Sequence, residues 1–341
     1  MAPPMLKEPW FWRSESAAAE ALRRAASPLA HAYNAVQKRQ WARRRPGRAP
    51  VPVLCVGAAA MGGAGKTPFA MMIGALIEQQ AKTPHFLLRG YGGSLEGPAQ
   101  VVSDQHSAAE VGDEALLLAR RGPTWVAADR MAGARAAAQA GADVVVMDDG
   151  FQNPSLAKTV SFLLLDASTP PVRARVFPAG PYREPIAQAL TRADFVVTVK
   201  ETQDAAIDPA LRDAIGAMPT ASMWLAPRLE GAREKALAFC GIGRPQKFFG
   251  ALRRGGVALA DAVAFPDHHV FSQAELDRLR KRANAAGAVL TTTEKDFCRL
   301  PPEARDHITV VKVDARTDNE ALIAATLAKA IDNFTAHRDA S

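Results

Sequence analysis

Short apolar runs alternate with stretches of helical spacing along most of the chain from residue 51 onward. Short apolar runs bounded by turn residues are typical of buried strands, whereas apolar residues three and four positions apart are typical of helices. The predicted strands cover residues 51–56, 83–88, 125–128, 144–147, 160–166, 193–199, 235–240, 289–292 and 310–313. Because strands that alternate with helices form right-handed crossovers, the pattern predicts an α/β fold with a mainly parallel sheet and helices on both faces.

The pattern weakens between residues 200 and 233, where few periodicities are clear, and it restarts with the strand predicted at 235–240. A chain of 341 residues is long enough for two domains that each have a core of ordinary size. We therefore predict an N-terminal helical segment over residues 1–48, a first α/β domain over 49–233 and a smaller α/β domain over 234–341.

Residues 10–45 have the spacing of amphipathic helices. Ser27 followed by Pro28 is typical of an N-cap and the first residue of a helix. The sequence therefore predicts that one helix ends near Ala26 and that a second begins at Pro28.

An apolar face runs along this helical segment. Leu22, Leu29 and Val36 repeat every seven residues, and Ala26 and Tyr33 fall between them on the same face. Aromatic residues stand near the ends of the segment, at Trp10, Phe11, Trp12 and Trp41.

The positive charge of the chain is concentrated in the same segment. Residues 1–48 contain ten basic and three acidic residues, so they account for the whole net charge of +7. A basic amphipathic helix with aromatic residues beside it is typical of an interface with anionic lipid, and we predict contact with a membrane surface through residues 10–45. The alternative is a helix packed on its own domain with a solvated basic side. No nucleic-acid-binding motif accompanies the charge, so nucleic acid is not predicted as a partner, and no obligate protein partner is evident.

The composition predicts a globular protein in a reducing compartment. Apolar residues make up 48% of the chain and charged residues 23%, which is typical of a folded soluble protein. Cys55, Cys240 and Cys298 are far apart and odd in number, so they indicate neither a disulfide framework nor a metal-ligand spacing. Neither a cleavable signal peptide nor an apolar run long enough to span a membrane is recognisable, so we expect a cytosolic chain.

A glycine-rich loop between the first predicted strand and an apolar helical segment predicts a nucleotide-phosphate site. In such a loop the backbone N–H groups and the helix N-terminus bind phosphate, the lysine reaches the β- and γ-phosphates, and the threonine hydroxyl binds Mg²⁺. The predicted nucleotide-binding residues are Gly62, Gly63, Ala64, Gly65, Lys66, Thr67 and Pro68. Position 60 is alanine where the usual pattern has glycine, so the two neighbouring glycines would supply the backbone freedom.

Two acidic pairs are candidates for metal or proton chemistry. Asp148 and Asp149 directly follow the strand predicted at 144–147. This is typical of a Walker B element, in which an aspartate holds Mg²⁺ directly or through water, although such residues also cap turns. Asp113 and Glu114 begin a predicted helix, where acidic residues often only complement the helix dipole.

His268 and His269 are candidates for a proton acceptor, a metal pair or a buried structural pair. Adjacent side chains in an extended segment point to opposite sides, so a shared metal is not expected. The sequence pattern alone leaves the other two possibilities open.

A series of short motifs extends over nearly the whole chain: residues 49–68, Arg89-Gly-Tyr-Gly-Gly, Gly112-Asp-Glu, Asp148-Asp-Gly-Phe-Gln, Phe177-Pro-Ala-Gly-Pro-Tyr-Arg-Glu, Gly241-Ile-Gly, Asp267-His-His and Thr292-Thr-Glu-Lys-Asp. In this order they resemble the tetraacyldisaccharide 4′-kinase family of lipid A synthesis. The resemblance implies a P-loop kinase that uses ATP and Mg²⁺ to phosphorylate the 4′-hydroxyl of a tetraacylated glucosamine disaccharide 1-phosphate. It also implies peripheral attachment at the cytoplasmic face of the bacterial inner membrane.

The resemblance assigns roles at the nucleotide end of the site. Lys66 would bind the nucleotide phosphates and Thr67 would ligate Mg²⁺. Asp148 and Asp149 would hold the metal directly or through water, with Glu114 beside it.

The resemblance also assigns roles at the acceptor end. Asp113 would act with His268 as a dyad that deprotonates or orients the 4′-hydroxyl, since a carboxylate beside an imidazole raises its basicity and fixes its tautomer. Arg89, Tyr91 and Arg183 would line the cleft near phosphate groups.

The chain departs from the family pattern at Ala58, Ala60 and Ala64 in the phosphate loop, at Asn153-Pro154, and at Arg244. One alternative is a P-loop switch ATPase of the Gly-Gly-x-Gly-Lys-Thr type, although Met61 stands where its signature lysine would lie. A second alternative is a nucleotide-regulated protein that binds membranes or nucleic acid through its basic N-terminus.

Overall fold

A computed structural model describes residues 9–12, 14–62, 65–229 and 235–339 of the protein. Within these residues the strands are β1 (Val53–Ala58), β2 (Pro84–Leu88), β3 (Ala99–Gln100), β4 (Thr124–Val126), β5 (Val144–Asp148), β6 (Val160–Asp166), β7 (Phe195–Lys200), β8 (Thr220–Arg228), β9 (Ala236–Cys240), β10 (Leu259–Ala264), β11 (Val289–Thr293) and β12 (Ile308–Thr317). The helices are α1 (Ala17–Arg43), α2 (Lys66–Glu78), α3 (Ala108–Val111), α4 (Asp113–Ala119), α5 (Arg130–Gln139), α6 (Ile186–Leu190), α7 (Pro209–Ile215), α8 (Pro245–Arg254), α9 (Gln273–Ala285), α10 (Glu294–Arg299) and α11 (Glu320–Asp339).

The strands of the described residues form a single sheet in the order β10-β9-β11-β12-β8-β7-β6-β1-β5-β2-β4-β3. Neighbouring strands are parallel except in two pairs, β3 with β4 and β8 with β12. The predicted α/β fold with a mainly parallel sheet is therefore confirmed.

Apolar cores cover both faces of the sheet around β1 and β6, because alternate residues of a strand point to opposite faces. On one face, Phe69 of α2 packs in the same core as Phe162 of β6 and Leu327 of α11. On the other face, the core includes Ala134 of α5 and Leu211 of α7. The last helix of the chain thus packs on the core of the first half.

Residues 200–229 contain two elements that the sequence pattern did not predict, α7 and β8. Strand β8 joins the two halves of the sheet, because it pairs in parallel with β7 and antiparallel with β12. Only Ala221, Ser222 and Met223 of this strand are buried, so it lacks the continuous apolar run expected of a central strand. The predicted domain boundary at 233 lies outside the described residues, and the division into domains stays a prediction.

Helix α1 is continuous, so the predicted break at Pro28 is wrong. Pro28 lies inside the helix, and Ser27 does not cap a second helix but donates its hydroxyl to the carbonyl of Arg23 at 3.3 Å. Ser16 is the N-cap, and its side chain accepts a hydrogen bond from the backbone N–H of Ala19 at 3.2 Å. Contacts with the rest of the protein on both sides of the proline offset its local cost, which is about 3 kcal/mol in a helix interior.

Aromatic side chains attach α1 to the rest of the protein. Tyr33 packs edge-on against Phe177 with ring centroids 5.4 Å apart. The ring of Trp41 contacts the guanidinium group of Arg192 at 4.5 Å and the ammonium group of Lys158 at 5.0 Å. Across the described ranges, no helix combines the length and the apolar character needed to cross a membrane.

Candidate active site

The phosphate loop leads from β1 into α2, which begins at Lys66. Gly65 precedes the helix with a φ of 75°, a left-handed conformation that residues with a Cβ atom rarely adopt. Gly62 also has a positive φ, of 93°. Gly63 and Ala64, which the sequence also assigned to this loop, lie outside the described residues.

Backbone contacts hold the loop at two of the positions where alanine departs from the family pattern. The carbonyl of Ala58 accepts a hydrogen bond from Gln152 Nε2 at 3.0 Å. Ala60 forms a backbone bridge with Tyr182. Both contacts reach the loop through main-chain atoms, so the small alanine side chains do not remove them.

Thr67 and Pro68 lie in the first turn of α2, and the Thr67 hydroxyl donates a hydrogen bond to Asp148 Oδ2 at 2.7 Å. Asp148 is 2% exposed, and its Oδ1 atom has no hydrogen-bond partner among the described residues. Burial, followed by the negative charge of Glu114, raises the pKa of Asp148 to about 7. A buried carboxylate oxygen without a partner is unfavourable by itself.

This arrangement fits Mg²⁺. Within the described part of the chain, no group of three or more His, Cys, Asp or Glu residues could hold a metal ion. Mg²⁺ in kinase sites is commonly held by only one or two carboxylates, together with substrate phosphates and water. Asp148 supplies a carboxylate of that kind, and the Thr67 hydroxyl supplies a second oxygen ligand.

Asp149 faces two cations. Arg183 donates from Nη1 and Nη2 to the two oxygens of Asp149, at 2.6 and 2.8 Å, and Lys66 Nζ lies 3.6 Å from Oδ1. Burial would raise the pKa of Asp149, but the charges of Lys66 and Arg183 outweigh it and lower this pKa well below its usual range. Because Arg183 engages both oxygens of Asp149, Asp148 is the better candidate for direct contact with a metal.

Asp113 and His268 come from different halves of the chain and are in direct contact. Asp113 begins α4, and His268 lies in the turn between β10 and α9. His268 Nδ1 is 2.9 Å from Asp113 Oδ2, and Asp113 is 4% exposed. When Nδ1–H donates to a carboxylate, Nε2 is the unprotonated nitrogen of the neutral imidazole.

The two adjacent histidines do not lie in an extended segment, so that premise of the sequence analysis is wrong. His268 has a φ of 57°, which places it in a turn. His269 Nε2 contacts Glu275 Oε2 at 3.2 Å, and its ring stacks on Phe265 with centroids 4.7 Å apart. The two side chains therefore have separate partners.

Arg299 and Asp296 support the dyad, and sequence reasoning did not identify either role. Arg299 donates to Asp113 Oδ2 from Nε at 2.8 Å and also from Nη2. Its Nη1 donates to the carbonyl of Gly241 at 2.8 Å and to Asp296 Oδ1 at 2.9 Å. Asp296 is fully buried. The motif Thr292-Thr-Glu-Lys-Asp could have indicated these roles, because an arginine three residues after Asp296 lies on the same face of a helix.

Lys295, from the same motif, lies between the dyad and Glu114. Its Nζ atom is 3.5 Å from His268 Nε2, 3.5 Å from Glu114 Oε1 and 3.7 Å from Asp113 Oδ2. Burial would lower the pKa of Lys295, but the charges of Asp113 and Glu114 outweigh it and raise this pKa above its ordinary value.

The charge on Asp113 is stabilised by its neighbours. Burial would raise the pKa of Asp113, but the hydrogen bond from His268 and the charges of Lys295 and Arg299 lower it well below its usual range. Glu114 follows Asp113 in α4 and carries a charge that acts on Asp148. This residue therefore links the dyad electrostatically to the end of β5.

Two predicted substrate residues and two departures from the family pattern remain. Arg89 and Tyr91 are on the loop that follows β2, and both side chains are exposed. Arg244, one of the departures from the family pattern, forms an ion pair with Asp166 at 3.3 Å. Asn153, another departure, accepts hydrogen bonds from the backbone and hydroxyl of Ser155 and shapes a local turn.

Comparison with known proteins gives a consistent result. The family model for LpxK, tetraacyldisaccharide-1-P 4′-kinase, matches residues 22–332. The tetraacyldisaccharide 4′-kinase of Rhodospirillum centenum is 45% identical over 315 residues, which cover 90% of this chain and 92% of that protein. The tetraacyldisaccharide 4′-kinase of Dinoroseobacter shibae is 44% identical over 332 residues, which cover 94% of this chain and 96% of that protein.

A solved structure shares the fold. The crystal structure of LpxK from Aquifex aeolicus in complex with ATP superposes with a TM-score of 0.74 and 24% sequence identity. The match covers 91% of this chain and 99% of that chain.

Proposed function

The chain belongs to the family of tetraacyldisaccharide-1-P 4′-kinases, and we propose that it transfers the γ-phosphoryl group of ATP to the 4′-hydroxyl of a tetraacylated glucosamine disaccharide 1-phosphate. The product is the 1,4′-bisphosphate, a precursor of lipid A. The named activity of relatives at 45% and 44% identity supports this proposal, as does the ATP in the related structure.

The contact between Asp113 and His268 is the observation that carries the proposal. Its 2.9 Å distance joins a buried carboxylate to Nδ1 of an imidazole, and when Nδ1–H donates to a carboxylate, Nε2 of the neutral ring can accept a proton. A P-loop protein that only hydrolyses ATP as a switch does not need a base for a sugar hydroxyl. The dyad therefore favours transfer to an alcohol acceptor over the switch ATPase.

At the nucleotide end, we assign the phosphates to Lys66 and to the backbone N–H groups at the start of α2. Thr67 and Asp148 would hold Mg²⁺, with Asp149 and Glu114 beside them. The bound metal would neutralise charge on the β- and γ-phosphates. Arg183 holds Asp149 in place and keeps it ionised.

At the acceptor end, His268 Nε2 takes the proton of the 4′-hydroxyl. The hydroxyl oxygen forms a bond to the γ-phosphorus, and the bond from that phosphorus to the β-phosphate oxygen breaks, which releases ADP. Asp113 holds Nδ1–H and stabilises the imidazolium that forms. We also assign substrate contacts to Arg89 and Tyr91 on the exposed loop after β2. Catalysis of this kind depends mainly on positioning and charge stabilisation.

The purified protein, supplied with γ-³²P-labelled ATP, Mg²⁺ and the tetraacyl disaccharide 1-phosphate in detergent, tests the proposal. We expect label in the lipid, one ADP per phosphate transferred, and no transfer by Lys66→Met. Hydrolysis of ATP at the same rate with and without lipid, and no labelled lipid, would instead identify a switch ATPase.

We further propose that α1 attaches the protein to the cytoplasmic face of the bacterial inner membrane as a peripheral protein. Leu22, Leu29 and Val36 are 44%, 64% and 56% exposed. Ala19 and Ala30, on the neighbouring face of the helix, are buried. Leu22, Leu29 and Val36 are therefore not used to pack α1 on its own protein, whereas Tyr33, on the same apolar stripe, packs against Phe177.

The surroundings of this stripe support the same proposal. Trp10, just before α1, is 61% exposed, whereas Trp12 donates its indole N–H to the carbonyl of Pro178 at 3.0 Å. The exposed basic residues in and just after the last turns of α1 are Lys38, Arg39, Arg43, Arg44 and Arg45. Exposed apolar and basic residues on one helix suit a surface of anionic lipid.

A further inference from the structure

Lys295 lies beside the nitrogen of His268 that faces away from Asp113. Its Nζ atom is 3.5 Å from His268 Nε2 and 3.5 Å from Glu114 Oε1. Strong N–H···O hydrogen bonds cluster near 2.9 Å. None of the contacts of Lys295 with His268, Glu114 and Asp113 is that short. Electrostatic attraction thus holds the ammonium group near the dyad, and none of these three side chains forms a short hydrogen bond with it.

Lys295 is not among the groups that hydrogen-bond to Asp113. Arg299 already donates two N–H groups to Asp113 Oδ2, and its Nη1 group donates to Gly241 and Asp296. The Oδ1 atom of Asp113 accepts the backbone N–H of Glu114 at 2.9 Å. A second cation beside an already paired carboxylate requires a different explanation.

The position of the acceptor hydroxyl supplies that explanation. A hydroxyl whose proton passes to His268 Nε2 must lie about 2.6–3.2 Å from that nitrogen. An oxygen at that distance, on the side of Nε2 where Nζ lies 3.5 Å away, would be in contact with the Lys295 ammonium. Asp267 Oδ1, 3.8 Å from Nε2, is the other charged group near this nitrogen. Negative charge develops on this oxygen as its proton leaves, and it then spreads to the phosphoryl group.

We infer that Lys295 is a catalytic residue, whose ammonium group contacts the acceptor oxygen beside His268 Nε2 and stabilises the charge that develops there during transfer. This inference rests on the proposed function. The chemical step is unchanged: the oxygen–phosphorus bond forms, the bond to the β-phosphate breaks, and the proton goes to His268. Lys295 keeps its own protons throughout and contributes through a preorganised positive charge.

Lys295→Met tests the inference because methionine keeps most of the length of the side chain and removes the charge. We expect kcat to fall about 10²-fold, the usual effect of removing one group that stabilises transition-state charge. KM for ATP and for the lipid should stay within about threefold, since a contact made mainly in the transition state leaves ground-state binding nearly unchanged. Lys281→Met, an exposed position on α9, removes the same charge and should leave kcat unchanged.

Chemical rescue separates the charge from a structural role. Alkylation of Lys295→Cys with 2-bromoethylamine restores an ammonium group on a side chain of nearly the same length. Cys55, Cys240 and Cys298 are all buried, so the new thiol is the accessible target. We expect the treatment to restore at least about a tenth of wild-type kcat, and the same treatment of the wild-type protein should change nothing.

The outcomes separate this inference from the proposed function. If the wild-type protein labels the lipid while Lys295→Met retains full kcat, the inference alone is overturned. A Lys295→Cys protein that folds, is fully alkylated and stays inactive also overturns it. If the wild-type protein transfers no phosphate to the lipid, the proposed function fails and the inference falls with it.

Discussion

Arg299 in α10 donates two N–H groups, from Nε at 2.8 Å and from Nη2, to the Oδ2 atom of Asp113 at the start of α4. The same side chain reaches the carbonyl of Gly241 and the buried carboxylate of Asp296. It is 4% exposed. One guanidinium group therefore joins the acidic member of the dyad to the loop after β9 and to its own helix.

Arg299→Lys should lower both stability and activity. A lysine keeps the charge but cannot reproduce a planar fork that meets three partners, so carboxylates at Asp113 and Asp296 lose hydrogen bonds inside the protein. We expect the free energy of unfolding to fall by about 3 kcal/mol, the range for a disrupted buried ion pair, and kcat to fall at least about tenfold. Urea unfolding and steady-state kinetics measure the two effects. Arg280→Lys, at a more exposed ion pair with Asp277, is the matched control, and equal effects at both positions would contradict the prediction.

Stability should depend on pH through Asp113. The folded-state pKa of Asp113 lies below its ordinary value of 3.8, so the ionised carboxylate favours folding. That contribution is complete well above pH 3.8 and is lost as the pH falls through this value toward the folded-state pKa. Asp113→Asn should therefore be less stable than wild type at neutral pH, and the difference should narrow below about pH 4. Urea unfolding at neutral and acidic pH tests this, and a difference that does not change with pH would argue against it.

Asp113→Ala and His268→Ala should each lower kcat by about 10²-fold or more, because each removes part of one proton-accepting unit. The double variant should be only slightly slower than either single variant, since residues that act as a unit are not additive. His269→Ala is the matched control: it removes the neighbouring imidazole, which is paired with Glu275 instead. Wild-type turnover in either dyad variant would remove that residue from the mechanism.

Asp148→Asn should raise the stability of the protein and lower its activity. One oxygen of Asp148 is buried without a hydrogen-bond partner, so replacing the carboxylate with a neutral amide should stabilise the metal-free protein by about 1–2 kcal/mol. The same change should raise the Mg²⁺ concentration needed for half-maximal activity and lower kcat, because a carboxylate ligand is lost. Thermal unfolding in EDTA and a Mg²⁺ titration of activity measure the two effects. An Mg²⁺ dependence like that of wild type would contradict the assignment of Asp148.

A variant with serine at Leu22, Leu29 and Val36 should bind membranes more weakly. These side chains are exposed on α1, and burial of each one in lipid contributes about 1.5–3 kcal/mol at most. We expect most of the protein to move from the pellet to the supernatant when sedimented with anionic vesicles. The kcat measured on lipid in detergent should stay near wild type. Val102→Ser, at an exposed apolar residue outside α1, is the control, and unchanged sedimentation of the triple variant would count against the attachment of α1.

Local patterns in the sequence identify most strands. Strands β1, β5 and β6, for example, are recognisable as apolar runs because both of their faces are buried. They do not identify β8, because only three consecutive residues of this strand are buried. They also predict a break at Pro28 that does not occur. The free-energy cost of a proline inside a helix is smaller than the free energy gained when α1 packs on the rest of the protein.

The candidate residues of the phosphate loop, the metal site and the dyad were identifiable from residue types and motif order, because these reflect chemistry that any member of the family needs. The positions of these residues relative to one another were not identifiable from the sequence. Asp113 meets His268 only because β8 and β12 continue the sheet from one half of the chain to the other. Strand order depends on long-range pairing and burial, which no local pattern encodes. For the same reason, the roles of Arg299 and Lys295 emerged only when the tertiary structure placed α10 against α4.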